Sequence, residues 1–237
     1  NLIQAQRDAA WGEVARRLAH EIKNPLTPIQ LAAERLRRRY LGTMDPEDAE
    51  LLERSTQTII QQVDTMKEMV NAFAEYARAP QLKPSLTDLN ELVTEVVDLF
   101  RDSQPSTELV SQLDPQLPLI WLDSGRLRQI LNNLVRNAIE AVVDTEAARI
   151  EVTTKADLDA KHKYAELVVT DNGPGFAETI LSQVFEPYVT TKLKGTGLGL
   201  PIVKKIVDEH NGIIFAENAP GLGARITIRL PIPTQEE

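Results

Sequence analysis

The second quarter of this chain carries a seam. Leu52, Ile59, Val63, Met66, Val70, Phe73 and Ala77 follow one another at steps of 7, 4, 3, 4, 3 and 4. That spacing lays apolar side chains along one edge of a helix, an edge that is stable only against other helices. Upstream, Leu18, Ile22, Leu26, Ile29, Ala33, Leu36 and Tyr40 also advance by threes and fours. Between the two stretches lies Gly42-Thr43-Met44-Asp45-Pro46-Glu47, a turn with a capping residue and a proline suited to open the next helix. Residues 1–80 therefore read as a helical hairpin. Two helices alone bury little surface. Self-pairing of two hairpins into a dimeric four-helix bundle is expected, in preference to packing of the seam on the rest of the same chain.

Beyond residue 80 the grammar changes. Ala79-Pro80 through Pro84-Ser85 reads as a linker, so the expected organisation is a hairpin over 1–80, a linker over 81–85 and a second domain over 86–237. Asp88–Arg101 is an amphipathic helix. Asp123–Val143 is a longer one, capped by Asp123 or Ser124. Arg149–Lys155 and Ala165–Thr170 alternate as strands, and Leu198–His210 is a helix ended by Asn211-Gly212. Ile213–Glu217 and Ala224–Leu230 form a closing hairpin. The fold class is α+β, with the second domain an α/β sandwich that has helices on one face of a mixed sheet.

Composition removes several classes of function. The 237 residues include no cysteine, which excludes a disulfide framework, a thiol nucleophile and a Cys-based zinc site. The net charge of −9 argues against nucleic acid as a partner. No apolar run approaches the ~18 residues needed to span a bilayer, so no membrane contact is expected from this segment. The chain opens on Asn1 and carries no signal peptide, and it is read as a piece of a longer protein.

One histidine stands on the wrong face for packing. At about 100° per residue, His20 lies roughly 200° from Leu18 and from Ile22, away from the apolar stripe. Asn24, four residues on, shares its side of the helix. Glu21 is its neighbour, and Pro25 removes the hydrogen bond to residue 21 and bends the helix there. A lone exposed histidine is ordinarily no more than that. In the setting His20-Glu21-x-x-Asn24-Pro25 it is a candidate nucleophile, because neutral imidazole is nucleophilic near pH 7 and an adjacent carboxylate can take its proton.

The second domain carries glycine-rich turns and a pair of amides. Asp171-Asn172-Gly173-Pro174-Gly175-Phe176 leaves a strand directly. Such an Asp can accept a hydrogen bond from an exocyclic amine, while Gly173 and Gly175 let a flat ring approach the backbone. Gly195-Thr196-Gly197-Leu198-Gly199-Leu200 opens a helix, whose unpaired N–H groups suit phosphates. Asn133 and Asn137, four apart on the long helix, project from one side of it. Asn137 can offer a carbonyl oxygen to Mg²⁺. Either asparagine alone could equally be a solvent-facing or capping amide. There is no Walker-type loop and no His-Arg-Asp loop, so this is neither a P-loop nor a protein-kinase-type site.

In combination these segments resemble a bacterial two-component sensor histidine kinase. Ala19–Leu26 resembles its H box, Asn132–Ala138 its N box, and Asp171–Phe176 its G1 box. Phe185-Glu186-Pro187-Tyr188 resembles the F box, Gly195–Leu200 the G2 box, and Gly221-Leu222-Gly223 the last glycine box. All occur in family order. Pro25–Leu36 and Phe185–Lys192 look most like the nitrogen-regulation branch. The resemblance implies a protein-histidine kinase that uses ATP and Mg²⁺, forms a homodimer and partners a response regulator receiver domain. It implies a cytoplasmic location, as the cytosolic part of an inner-membrane sensor. It further implies that His20 accepts the γ-phosphoryl group, Glu21 assists as base or orienter, and Asn24 serves phosphatase activity on the regulator. Asp171 would read adenine N6, and Asn137 would hold Mg²⁺ with Asn133 nearby. Thr191, Lys192, Gly195, Gly197, Leu198 and Gly199 would form the loop over the phosphates. Glu140-Ala141 stand where many members carry Lys-Tyr.

Two other readings remain at this stage. ATP-hydrolysing machines of the gyrase, Hsp90 and MutL type share such a nucleotide site, but they typically carry a Glu to activate water at the place of Asn133, and Asn is no base. A dimeric scaffold without catalysis is the other. The run Arg35-Leu36-Arg37-Arg38-Arg39 reads either as a docking patch for an acidic partner or as a solvated helix face.

Overall fold

The computed structural model describes residues 2–77, 82–157, 163–190, 192, 195–221 and 223–232, with side chains from residue 12 onward. It contains two compact units, residues 1–79 with 191–198, and residues 80–190 with 199–237.

The first unit is built on a helical hairpin, α1 (Leu2–Tyr40) and α2 (Pro46–Ala77). Helix α1 continues through Pro25 and Pro28, so the expected bend does not end it. Each proline lacks an N–H, which leaves the carbonyls of Glu21 and Asn24 without their helical donors. The expected packing stripe is corrected. On α1 the buried residues are Ala15, Ala19, Leu26 and Ala33, and on α2 they are Thr56, Val63 and Ala77. Leu18, Ile22, Ile29 and Leu36 remain 41–47% exposed. Each of these four stands three residues after a buried one, about 60° further round the helix. Small side chains take the intrahairpin seam because alanine lets two backbones approach closely. The large ones, with Ile59 and Met66, form a second apolar face that the hairpin leaves open. Across the seam, Arg37 Nη1 donates to Gln57 Oε1 at 2.7 Å and Lys67 Nζ donates to Gln30 Oε1, pairs that set the helix register.

The second unit begins with a short ribbon. β1 (Ser85–Thr87) pairs antiparallel with β3 (Ile120–Leu122). This strand was not expected: Ser85 ends the expected linker and Leu86 and Thr87 open the second domain, and three residues are too few to carry a periodic signal. The main sheet contains β2 (Glu108–Gln112), β4 (Arg149–Asp157), β5 (Tyr164–Asp171), β6 (Ile213–Asn218) and β7 (Ala224–Pro231), in the order β2-β4-β5-β7-β6. Only β2 and β4 run parallel; the other pairs are antiparallel. Alternate residues Ile150, Val152, Leu167, Val169, Ile226, Ile228 and Leu230 are buried, as a sheet covered on one face requires. The cover is α3 (Leu89–Ser103), α4 (Ser124–Ala141) and α6 (Gly199–Glu209), while α5 (Glu178–Leu181) is a single turn that was not expected. On α4, Leu127, Ile130, Leu131, Leu134, Val135 and Ala138 are buried, which fixes the roll of the helix about its axis.

Asp123 is the expected cap of α4, and it does more than cap. Its Oδ1 accepts from Arg126 N at 3.1 Å and its Oδ2 accepts from Lys83 N at 2.8 Å. Its own N–H donates to His210 Nε2 at 3.2 Å. His210 Nδ1 therefore carries the proton and donates to Ile206 O at 2.8 Å. The start of α4, the end of α6 and the strand entry at Lys83 thus meet on one aspartate. Burial alone would raise the Asp123 carboxyl, but the N–H donors of Lys83, Arg126 and Gly125 outweigh it and lower the pKa below the ordinary value. The sign follows from linkage. The contribution is present above the ordinary carboxylate range and is lost as pH falls through the depressed folded value. Asp123→Ala is expected to lower the unfolding free energy by about 1–2 kcal/mol at neutral pH. Urea unfolding at pH 7 and pH 3 should show the gap between variant and wild type shrinking in acid.

Candidate functional site

In the helical unit His20, Glu21 and Asn24 are all exposed on α1. His20 has no hydrogen-bond partner among the described residues. The Glu21 carboxylate accepts from Arg17 Nε at 3.1 Å, one turn back on the helix, and not from the imidazole. The histidine is thus displayed to solvent with its ring nitrogens available.

In the α/β unit the strand β5 ends on Asp171, 6% exposed. Its Oδ1 accepts from Gly173 N at 2.9 Å and Ala224 N at 3.2 Å, and its carbonyl accepts from Gly223 N at 2.8 Å. This close wrapping of backbone round a carboxylate requires glycines. A Cβ on Gly223 would lie 2.2 Å from Asp171 Oδ1, and one on Gly173 would lie 2.8 Å from Ala141 O. Gly175 has φ +73°, and a Cβ there would meet Asn218 Oδ1 at 2.7 Å.

Two asparagines that sequence reasoning missed hold this loop. Asn218 accepts from Phe176 N and donates to Phe176 O, both at 2.8 Å. Asn172 accepts from Arg149 N at 2.8 Å and donates to Ala147 O at 2.9 Å. An amide carries both a donor and an acceptor, so it can replace a missing strand neighbour. Asn172 had a legible signal, a short amide beside a glycine turn; Asn218 had none, because its partner lies 42 residues away.

On α4 the two N-box amides differ. Asn133 is 8% exposed; its Nδ2 donates to Gln129 O at 3.0 Å and its Oδ1 accepts from Arg136 Nη2 at 3.0 Å. Asn137 is half-buried and has no partner among the described residues. Both amides approach Gly199, the first residue of α6. A Cβ on Gly199 would lie 3.5 Å from Asn137 Nδ2 and 3.6 Å from Asn133 Oδ1. The structure therefore brings Asn133, Asn137 and Gly199 together, and Asp171 together with Gly173 and Gly223. In the segment before α6, Gly195 N donates to Lys192 O at 3.2 Å and Leu198 N donates to Thr196 Oγ1 at 3.2 Å. Gly197 has φ +65° and Leu198 is buried, whereas Lys192 is exposed. Thr191 lies outside the described residues.

Comparison with known proteins adds the family. Residues 10–82 match the His Kinase A (phospho-acceptor) domain, and residues 122–234 match the Histidine kinase-, DNA gyrase B-, and HSP90-like ATPase family. The chain belongs to the sensor histidine kinases. Among them it is similar to the nitrogen regulation protein NtrY of Azorhizobium caulinodans, 42% identical over 99% of this chain and 31% of that protein. The chain spans about a third of the length of the curated relatives it matches (31% and 38% for the first two). The crystal structure of full-length ShkA in complex with AMPPNP superimposes with a TM-score of 0.72 at 28% identity, covering 94% of this chain and 46% of that one. The complex of the histidine kinase ThkA with the response regulator TrrA gives 0.67 at 29% identity, covering 98% and 65%.

The glycine packing makes a sharp contrast testable. Gly223→Ala is expected to displace Asp171 and to weaken AMPPNP binding, followed by calorimetry, by at least about tenfold. Gly221→Ala, at φ +71° with nothing within 4 Å, should cost about 1–2 kcal/mol of stability and leave binding intact.

Proposed function

We propose that this chain is the catalytic core of a sensor kinase that moves the γ-phosphoryl group of ATP onto His20 and then to an aspartate of a response regulator. Residues 1–80 serve as the dimerisation and phosphotransfer hairpin, 81–85 as the linker and 86–237 as the ATP-binding domain. The observation that carries the reading is His20 itself, exposed and without a hydrogen-bond partner among the described residues, on the side of α1 opposite the large apolar face. That apolar face is what a second hairpin would cover, giving a homodimer. None of the described helices is long and apolar enough to cross a membrane. We place the chain as the cytosolic part of an inner-membrane sensor.

In the first step a ring nitrogen of His20 attacks the γ-phosphorus. The N–P bond forms as the bond to the ADP oxygen breaks, and the proton on the other ring nitrogen passes to Glu21 once it leaves Arg17. In the second step the regulator's carboxylate attacks the same phosphorus, the N–P bond breaks, and the imidazole departs as the proton returns to its ring from Glu21. In a separate phosphatase activity, Asn24 positions water to attack the regulator's phospho-aspartate, releasing inorganic phosphate and the free carboxylate. Asp171 accepts from adenine N6, with Gly173 and Gly175 admitting the ring. Thr191, Lys192, Gly195, Gly197, Leu198 and Gly199 form the loop over the phosphates. The described residues contain no cluster of three His, Asp or Glu side chains able to hold a metal. The open amide oxygen of Asn137 instead fits a cation that keeps its waters and phosphate ligands. When bound there, Mg²⁺ supplies charge neutralisation to the phosphate oxygens.

Incubation with γ-labelled ATP and Mg²⁺ tests the reading. Acid-labile, base-stable label on the wild type, absent in His20→Ala, is the expected result. Steady phosphate release without labelled protein would instead indicate a hydrolase, and absence of both label and ATP binding a scaffold. Pro25→Ala restores a donor for the Glu21 carbonyl next to His20. It is expected to change the ratio of kinase to phosphatase rates, and an unchanged ratio rejects a switching role for this proline.

A further inference from the structure

Arg136 stands between Asn133 and Asn137 in sequence and has no part in the reading so far. It is exposed, and among the described residues its partner is an amide, Asn133 Oδ1, at 3.0 Å. Asn133 is buried and anchored in turn to Gln129 O at 3.0 Å. A fixed amide therefore holds a solvent-facing guanidinium in one orientation.

Its charge environment sets it apart. Seven arginines occur beyond residue 80. The six others each have a carboxylate partner, for example Arg149 with Glu108 at 2.7 Å and Arg229 with Glu166 at 2.8 Å. Arg136 has none among the described residues, although residues 81–237 hold 15 basic and 23 acidic groups. In so acidic a unit, an arginine left without a carboxylate and oriented by a buried amide is suited to an anion that arrives from outside.

The neighbours say which anion. Asn133, Arg136 and Asn137 fall within about 100° of arc on α4. The start of α6 at Gly199 abuts the two amides, and its first-turn N–H groups lack helical acceptors. Guanidinium, amide oxygen and helix start converge on one side of α4, and a planar fork of donors matches phosphate oxygens two at a time. We propose that Arg136 binds the terminal phosphates of ATP, and that Asn133 is its positioning residue. The proposal rests on the reading of this unit as an ATP-binding domain.

The test is calorimetric titration of the whole chain with ATP·Mg²⁺ and, separately, with AMP. Arg136→Gln keeps an amide within reach of Asn133 and removes the charge. Its Kd for ATP is expected to rise by about tenfold or more, with AMP changed by less than about twofold. Arg136→Lys should recover part of the loss, and added salt should weaken ATP binding to wild type more than to Arg136→Gln. Equal ATP affinity for Arg136→Gln and wild type overturns the assignment, and so does a loss shared equally by ATP and AMP. A wild-type chain that takes up neither nucleotide overturns the ATP-binding reading itself.

Discussion

Burial of one side of α4 decides the direction of everything on its other side. Six apolar residues between Leu127 and Ala138 are pressed against the sheet and its flanking helices, so the helix cannot roll. Full burial of a single such side chain is worth about 1.5–3 kcal/mol, and six together exceed any preference of the polar residues. Asn133, Arg136 and Asn137 therefore hold their orientation without a ligand, and α6 starts against them. The Asp123 cap fixes the remaining freedom, translation along the axis, by tying the first turn to Lys83 and to His210.

The hairpin solves a different problem. It is held together along one edge and yet leaves His20 in solvent. The seam between α1 and α2 uses alanines, which bring the helices close and consume little of the apolar surface. The larger stripe, about 60° away, remains open, and His20 lies on the opposite side of the helix. Pro25 and Pro28 follow His20 on α1 and leave the carbonyls of Glu21 and Asn24 without helical donors. A weakened hydrogen-bond ladder beside His20 makes this stretch of α1 easier to bend than the rest of the helix.

Much of this was readable in the chain. The long helices announce themselves by spacing, because one face of each must be apolar, and Asp123 caps the helix it precedes as expected; the cap by Asp88 on α3 is a finding of the structure. The closing pair β6 and β7 and the strands β4 and β5 alternate as a half-covered sheet must. What failed to show was short or distant. β1 is three residues long. Asn218 acts on Phe176 from 42 residues away in sequence. The stripe on α1 was read as one packing edge because periodicity gives the period of a face but not its width, so the alanine seam and the larger open face could not be told apart.

Residue types and spacing alone determined the two-part organisation, the outward histidine and the presence of glycines where a carboxylate leaves a strand. Those are local matters, settled by helix and strand periods and by which backbones tolerate a side chain. Tertiary structure decided which glycine is indispensable, which amide is already engaged and which arginine has no carboxylate beside it. Gly221 and Gly223 are two residues apart and both glycine, yet only the second has a carboxylate 2.2 Å from where its Cβ would be. Contacts between residues far apart in sequence depend on how sheet and helices pack, and no spacing within a segment encodes them.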